Sequence, residues 1–269
     1  MGLAAADSTC KFQNMVAVIT GAGSGIGRAL TRKIAKNGCR LALADIDSIG
    51  LQETIGMLPK SCRAIGYKLD VSDRSSFQEF VKHVVADFGQ VDIVINNAGV
   101  IRLHSIQNSS YEDYEISLNI NVWGVLYGCK EFLPYLRSRP EAWLVNISSG
   151  AGIVCHAKYS SYNMSKFAVR ALTESLRDEL RGTNVAVMCV FPGGVDTNIL
   201  KSCVHSKDAT DDLDALRGTL RQMSSDEAAE AIIKGMIRKK NRVLVGRDVK
   251  IMDYVARLFP ASYARVLWE

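Results

Sequence analysis

What this chain of 269 residues has little of narrows the field first. It has five prolines and no glycine- or serine-rich stretch, so no linker is evident and one domain is expected over residues 1–269. No apolar run reaches the roughly 18 residues of a membrane-spanning helix. The opening MGLAAADSTCKF lacks a basic segment followed by an apolar one. A secretory leader is therefore not expected, and residues 1–13 read as a flexible N-terminus. Ala6 stands where a myristoylation signal carries Ser or Thr. The cysteines, at 10, 39, 62, 129, 155, 189 and 203, are odd in number and form no CxxC pair. That pattern suits reduced thiols in a cytoplasmic protein and predicts neither a disulfide framework nor a metal site. No basic stripe is interleaved with aromatics, so nucleic acid is not an expected partner.

Net charge is scarce except at one end. Of the formal +5, residues Ala231–Glu269 carry +6 (nine Lys/Arg against three Asp/Glu), which leaves −1 for the first 230 residues. Within this basic end, residues 248–269 read as a helical tail that Pro260 breaks in two. The tail is apolar beyond the needs of one buried face. The expected arrangement packs it on its own subunit and against a second copy in a homodimer or homotetramer. Its basic residues also suit contact with an anionic membrane.

What is present is an alternation. Apolar runs at Met15–Thr20, Arg40–Asp45, Ala64–Leu69, Val91–Asn96, Ala142–Ser148, Asn184–Phe191 and Arg242–Val245 read as strands buried on both faces. Amphipathic segments separate them at Ile26–Asn37, Ser48–Leu58, Arg74–Phe88, Tyr111–Arg137, Tyr162–Arg181 and Ser225–Lys239. Asp73 and Ser225 are expected N-caps, and Gly38 an expected C-cap. Strand–helix alternation of this length predicts an α/β fold: a Rossmann-type doubly wound parallel sheet of about seven strands flanked by helices. One connection, residues 193–224, is long and strandless, as substrate lids are. Leu213, Leu216 and Leu220 give it one apolar face, and Asp211 and Asp212 are placed to cap a short helix there.

The first strand runs into Gly21-Ala22-Gly23-Ser24-Gly25-Ile26-Gly27, after which a helix begins. Glycines at such a junction let the backbone approach a pyrophosphate, and the helix N-terminus offers unpaired N–H groups. Gly21, Ser24, Gly25, Ile26 and Gly27 are the expected phosphate cradle. Asp45 ends the second strand, where a carboxylate accepts hydrogen bonds from the adenosine ribose. It would repel a 2′-phosphate, and neither Ser24 nor Ile46 supplies a cation, so NAD is the expected cofactor.

Tyr162 and Lys166, four residues apart, share a helical face. A free tyrosine with pKa ~10 is a poor base at neutral pH, and bringing it to about 7 takes roughly 4 kcal/mol of stabilisation of the phenolate. A nearby ammonium in a partly desolvated site can supply this. Ser149 follows one strand, Asn97 ends another, Pro192-Gly193 follows a third, and Asn121 lies in a helical segment. Residues after strands gather on one rim of such a sheet.

Together the TGAGSGIG loop (Thr20–Gly27), Asp70-Val71, NNAG (Asn96–Gly99), Asn121, Ser149, Tyr162/Lys166 and Pro192-Gly193 resemble the short-chain dehydrogenase/reductase family. The match spans roughly residues 15–200. The resemblance implies an enzyme that interconverts a secondary alcohol and a ketone with NAD. It implies that Tyr162 is the general acid/base and that Lys166 lowers its pKa and holds the nicotinamide ribose. Ser149 would bond the substrate oxygen, and Asn121 would hold a relay water. Asp70 and Val71 would bracket the adenine, and Asn97, Ala98 and Gly99 the ribose. Pro192, Gly193, Val195 and Thr197 would lie by the nicotinamide. Pocket walls are expected from Ile101, Leu103, Ile153, Val154, Tyr159, Leu200, Leu213 and Leu216. These favour a lipophilic substrate, with a small hydroxyketone as the alternative.

Overall fold

The computed structural model describes residues 11–196 and 223–268. The chain alternates strands and helices: β1 (Val16–Thr20), α1 (Gly25–Lys36), β2 (Arg40–Asp45), α2 (Ser48–Gly56), β3 (Ala64–Lys68), α3 (Arg74–Phe88) and β4 (Ile93–Asn96). It continues through α4 (Tyr111–Leu118), α5 (Gly124–Arg137), β5 (Ala142–Ile147), α6 (Ser160–Glu179) and β6 (Val185–Pro192). The short strands β7 (Val195–Asp196) and β8 (Met223–Ser224) precede α7 (Ser225–Ile237), β9 (Arg242–Val245), α8 (Arg247–Leu258) and α9 (Tyr263–Trp268).

Seven strands form one parallel sheet in the order β3-β2-β1-β4-β5-β6-β9. The chain winds outward from β1 to β3, then returns to the other side of β1 through β4. Ligands in open α/β sheets bind at this reversal, outside the carboxyl ends of the strands. Successive strand residues point to opposite faces. Ala17, Ile19, Leu41, Leu43, Ile93 and Ile95 therefore meet α1 and α7 on one side. Val16, Val18, Ala42, Ala44 and Val94 meet α3, α5 and α6 on the other.

Residues 11–13 are not part of a free N-terminus. Phe12 is wholly buried and packs edge-on against Trp143, with ring centroids 5.3 Å apart. Asp73 caps α3 through Ser76, as expected. At α7 the cap is Ser224 and not Ser225, because only Ser224 completes a reciprocal capping box with Glu227. Asn37 caps α1, and Gly38 follows it in the left-handed region at φ 77°.

The single helix expected over Tyr111–Arg137 is interrupted. Residues Asn119–Trp123 form a π turn between α4 and α5. The 193–224 connection is not strandless as expected: β7 pairs in parallel with β8, and the Met223 N–H donates to the Gly194 carbonyl at 2.9 Å, which pins its two ends together. The expected Thr197, Leu200, Leu213, Leu216 and Leu220, and the cap at Asp211 and Asp212, lie outside the described residues.

Candidate active site

A cleft of about 350 Å³ opens at the carboxyl ends of the strands, around the β1–β4 reversal. One end is built by the glycine loop. Gly21 and Gly25 take positive φ values of 66° and 49°, which L side chains rarely adopt. Ser24 precedes α1 without capping it with its side chain. Asp45 closes this end of the cleft. Its Oδ2 accepts the Gly23 N–H at 2.7 Å, and its Oδ1 accepts the Asp47 N–H at 2.9 Å. The cation beside the loop, Arg28, is engaged by the Gly23 and Gly50 carbonyls, Thr54 and Glu53.

The middle of the cleft is held by Thr20. Its Oγ1 accepts the backbone N–H groups of Asn97 and Ala98, each at 3.1 Å. The Asn97 side-chain amide donates to the Thr20 and Gly21 carbonyls. Asn97 thus fixes the glycine loop to the end of β4 as well as lining the cleft.

The far end carries the reactive groups. Tyr162 and Lys166 are both buried and line the cleft with Ser149. The Lys166 Nζ lies 5.6 Å from the centre of the Tyr162 ring and donates to the Ile147 carbonyl at 3.2 Å. Burial pulls the Lys166 pKa down to about 8. The ammonium therefore remains the main form at neutral pH. The Ser149 Oγ accepts the Ala151 N–H at 3.2 Å, which leaves its hydroxyl proton available to donate into the cleft.

Asn121 sits in the π turn and is wholly buried. Its Oδ1 accepts the Val100 N–H at 2.8 Å, and its Nδ2 donates to the Val100 carbonyl at 2.9 Å and to Ser165 at 3.0 Å. Both Nδ2 hydrogens are spent within the protein. The amide bolts the segment after β4 to the helix below the site.

Gly21, Ser24, Gly25, Ile26, Asp45, Asp70, Val71, Asn97, Ala98, Gly99, Ser149, Tyr162, Lys166, Pro192, Gly193 and Val195 all line the cleft as expected. Seven expected residues among those described do not: Gly27, Ile101, Leu103, Asn121, Ile153, Val154 and Tyr159. Gly27 packs α1 against β1, where a side chain would collide with the Gly21 carbonyl. Ile153 is buried in a cluster with Val154, Phe191 and Val249 beneath the C-terminal helices. Ile101 and Tyr159 instead pack with Leu103, Ala151 and Tyr162 as an apolar cluster beside the tyrosine.

Sequence reasoning misses Ile46, Leu69, Ile120, Ile147 and Ser148, which also line the cleft, while Val100 lines it as the first residue of an expected wall. It also misses Asp248, whose Oδ2 accepts the Gly194 N–H at 2.9 Å. A Cβ on Gly193 would meet that carboxylate, so the turn after β6 is shaped around a residue from the first turn of α8. An acid in a helix's first turn, just after a strand and a glycine, is the one signal that could have shown it.

These features fit a dinucleotide. Glycines clear the way to the α1 N-terminus, a carboxylate waits one strand away, and a buried cation with two hydroxyls marks the other end. The comparisons agree with this geometry. Residues 15–208 match the family model described as short chain dehydrogenase. A Mycobacterium tuberculosis protein carrying an oxidoreductase name, SadH, is 37% identical over 265 residues, covering 95% of each chain. A short-chain dehydrogenase/reductase of Burkholderia phymatum in complex with NAD superposes with a TM-score of 0.86 at 29% identity, covering 93% of this chain and 95% of that one. An alcohol dehydrogenase of Thermococcus sibiricus complexed with 5-hydroxy-NADP superposes with a TM-score of 0.74 at 27% identity, covering 87% of this chain and 96% of that one. The chain belongs to the short-chain dehydrogenase/reductase family of oxidoreductases.

Proposed function

We propose that this oxidoreductase interconverts a secondary alcohol and a ketone with NAD, on a lipophilic substrate. The observation that carries the reading is the buried Lys166 ammonium beside the Tyr162 ring, with the Ser149 hydroxyl in the same cleft. When bound, the nicotinamide supplies or accepts the hydride. The chain's own groups manage one proton and one oxyanion. The Tyr162 hydroxyl gives or takes the proton at the substrate oxygen. The Ser149 hydroxyl donates to that oxygen as charge builds on it. Lys166 favours the phenolate form of Tyr162 and is placed to bond the nicotinamide ribose.

NAD is preferred over NADP in this reading because of what Asp45 and Arg28 already do. Asp45 presents negative charge where a 2′-phosphate would sit, while Arg28 is occupied by Glu53 and backbone carbonyls. Among the relatives, one solved structure holds NAD and another an NADP derivative, so the choice rests on these residues. The lipophilic substrate is supported by the apolar cluster Ile101, Leu103, Ala151 and Tyr159, which borders the cleft where Tyr162 enters it.

The test is a fluorescence titration of NADH and NADPH on wild type and Tyr162→Phe, with turnover of a ketone panel. The expected result is tight NADH binding to both proteins, weak NADPH binding, and turnover of apolar ketones by wild type alone. Stronger NADPH binding overturns the cofactor reading. Faster turnover of small hydroxyketones overturns the substrate reading.

A further inference from the structure

Helix α8 is apolar on two opposite faces. Val249, Met252 and Ala256 repeat at helical spacing and pack inward against Ile153, Val154 and Phe191. Ile251, Tyr254 and Leu258 repeat at the same spacing, two positions on, and so lie about 200° around the helix. They are 58%, 66% and 55% exposed. Phe259 in the loop and Val266 on α9 are also exposed apolar residues of these C-terminal helices. Scattered exposed apolar residues are ordinary; a contiguous stripe marks a contact surface.

The charge around the stripe identifies its partner. Arg247 and Lys250 lie on the same face of α8, one turn before Ile251 and Tyr254, and Arg265 lies on α9. All three are exposed and make no ion pair among the described residues. The acids of α8 are turned away: Asp248 holds the Gly194 N–H, and Asp253 pairs with Arg242 and Arg257. The outer face is thus apolar at its centre and basic at its edge. A second copy docking here would gather two basic faces at one interface, with no unpaired acid of α8 to offset them. An anionic bilayer instead receives the apolar side chains below its headgroups and the cations among them.

We propose that the outer face of α8 and α9 docks on an anionic lipid surface, so that the protein lies on the membrane through its C-terminal helices without crossing it. No helix among the described residues is long and apolar enough to span a bilayer. The inward side of the same helices contacts the Cys155–His156 segment, through Tyr263 and Trp268, only a few residues from Tyr162. Docking therefore brings the active-site side of the molecule toward the lipid. The surface itself does not depend on the oxidoreductase reading.

The test is flotation of the full chain with vesicles of phosphatidylcholine alone or mixed with phosphatidylglycerol. Wild type is expected to float with the mixed vesicles at low salt, and to do so less on neutral vesicles or at high salt. Ile251→Asp combined with Leu258→Asp removes flotation while leaving the circular-dichroism melt and the oligomeric state by light scattering unchanged. Lys250→Glu combined with Arg265→Glu lowers the partition onto mixed vesicles by at least about tenfold. Absence of wild-type flotation on both vesicles overturns the proposal, as does flotation of the charge-reversed variant at the wild-type level. If the Asp variant fails to fold, the charge-reversed variant decides. If the Asp variant instead splits an oligomer and floats as before, the face joins two copies and the proposal falls.

Discussion

The ammonium of Lys166 stands 5.6 Å from the centre of the Tyr162 ring, in a site where both side chains are more than nine-tenths buried. A charge held there opposes folding and serves chemistry, so the two effects separate on mutation. In the folded chain burial lowers the Lys166 pKa from 10.5 to about 8. Because the folded value lies below the unfolded one, the penalty for the buried charge is full below pH 8. It fades as pH rises from about 8 towards 10.5. Lys166→Met is expected to lose about 10²–10⁴-fold in turnover. It should also gain up to about 3 kcal/mol of stability at pH 7, less the hydrogen bond to the Ile147 carbonyl. Melting curves of both proteins from pH 6 to roughly 10 check this. The advantage of the variant must shrink as pH rises, and an advantage constant with pH refutes the account.

Asp45 does two jobs at once, since one carboxylate oxygen holds the Gly23 N–H of the phosphate loop and the other holds the Asp47 N–H. Asp45→Ala is expected to weaken NADH binding by about tenfold or more, from loss of charge-assisted hydrogen bonds and a looser loop. NADPH binding should hold steady or improve, because the repulsion of a 2′-phosphate is gone. Titrations of both nucleotides measure the ratio. Equal losses for both would show that Asp45 acts only as a loop brace.

Much of this was legible in the residues. Continuous Val/Ile/Leu/Ala runs located all seven strands of the main sheet to within two residues, because a parallel strand buried on both faces admits little else. The glycine loop and Asp45 were legible for a similar reason: close backbone approach to a ligand restricts residue choice. Legibility failed where a residue's partner lies far away in sequence. The place of Asp248 in the first turn of α8 hints at a role, but nothing near it names Gly194, 54 residues earlier, as the partner. The burial of Phe12 depends on Trp143, which no local pattern reveals. The π turn at Asn119–Trp123 was hidden because its sequence keeps the amphipathic pattern of the helices around it. The partner that Asn121 meets from this turn, the N–H and carbonyl of Val100, lies outside the helix and leaves no local mark.

This pair of hydrogen bonds gives Asn121 a positioning role. Asn121→Ala removes the partner of the Val100 N–H and carbonyl at the half-buried edge of the cleft, and leaves the buried Ser165 hydroxyl with its bond to the Tyr162 carbonyl alone. The expected cost is about 2–4 kcal/mol of stability. With Gly99 and Val100 freed, the cofactor rim loosens, so the NADH Kd should rise together with a fall in kcat. Asn121→Asp keeps an acceptor for the Val100 N–H but loses both donors, and it should fall between alanine and wild type in melting temperature. An alanine variant that melts like wild type would show that these bonds contribute nothing.

The C-terminal helices hold the segment beside the active site in place from their inner side. The Tyr263 hydroxyl accepts the Cys155 N–H at 3.1 Å, and the rings of Trp268 and His156 lie 4.3 Å apart. His156 in turn faces Tyr159 at 5.5 Å, and its carbonyl accepts the Asn163 amide at 2.9 Å, next to Tyr162. Burial keeps the His156 pKa below its usual value, which suits a neutral ring in this aromatic stack. A contact chain so arranged reaches the substrate side of the cleft and not its nucleotide side. Tyr263→Phe combined with Trp268→Ala removes one hydrogen bond and one aromatic contact, together about 1–3 kcal/mol. The loop from Cys155 to Tyr159 should then sample more conformations. The KM for the ketone should rise by roughly tenfold, while the NADH Kd stays within about twofold of wild type. A matched rise in the NADH Kd would mean that the tail supports the whole fold. An unchanged KM would mean that the loop keeps its shape without the tail.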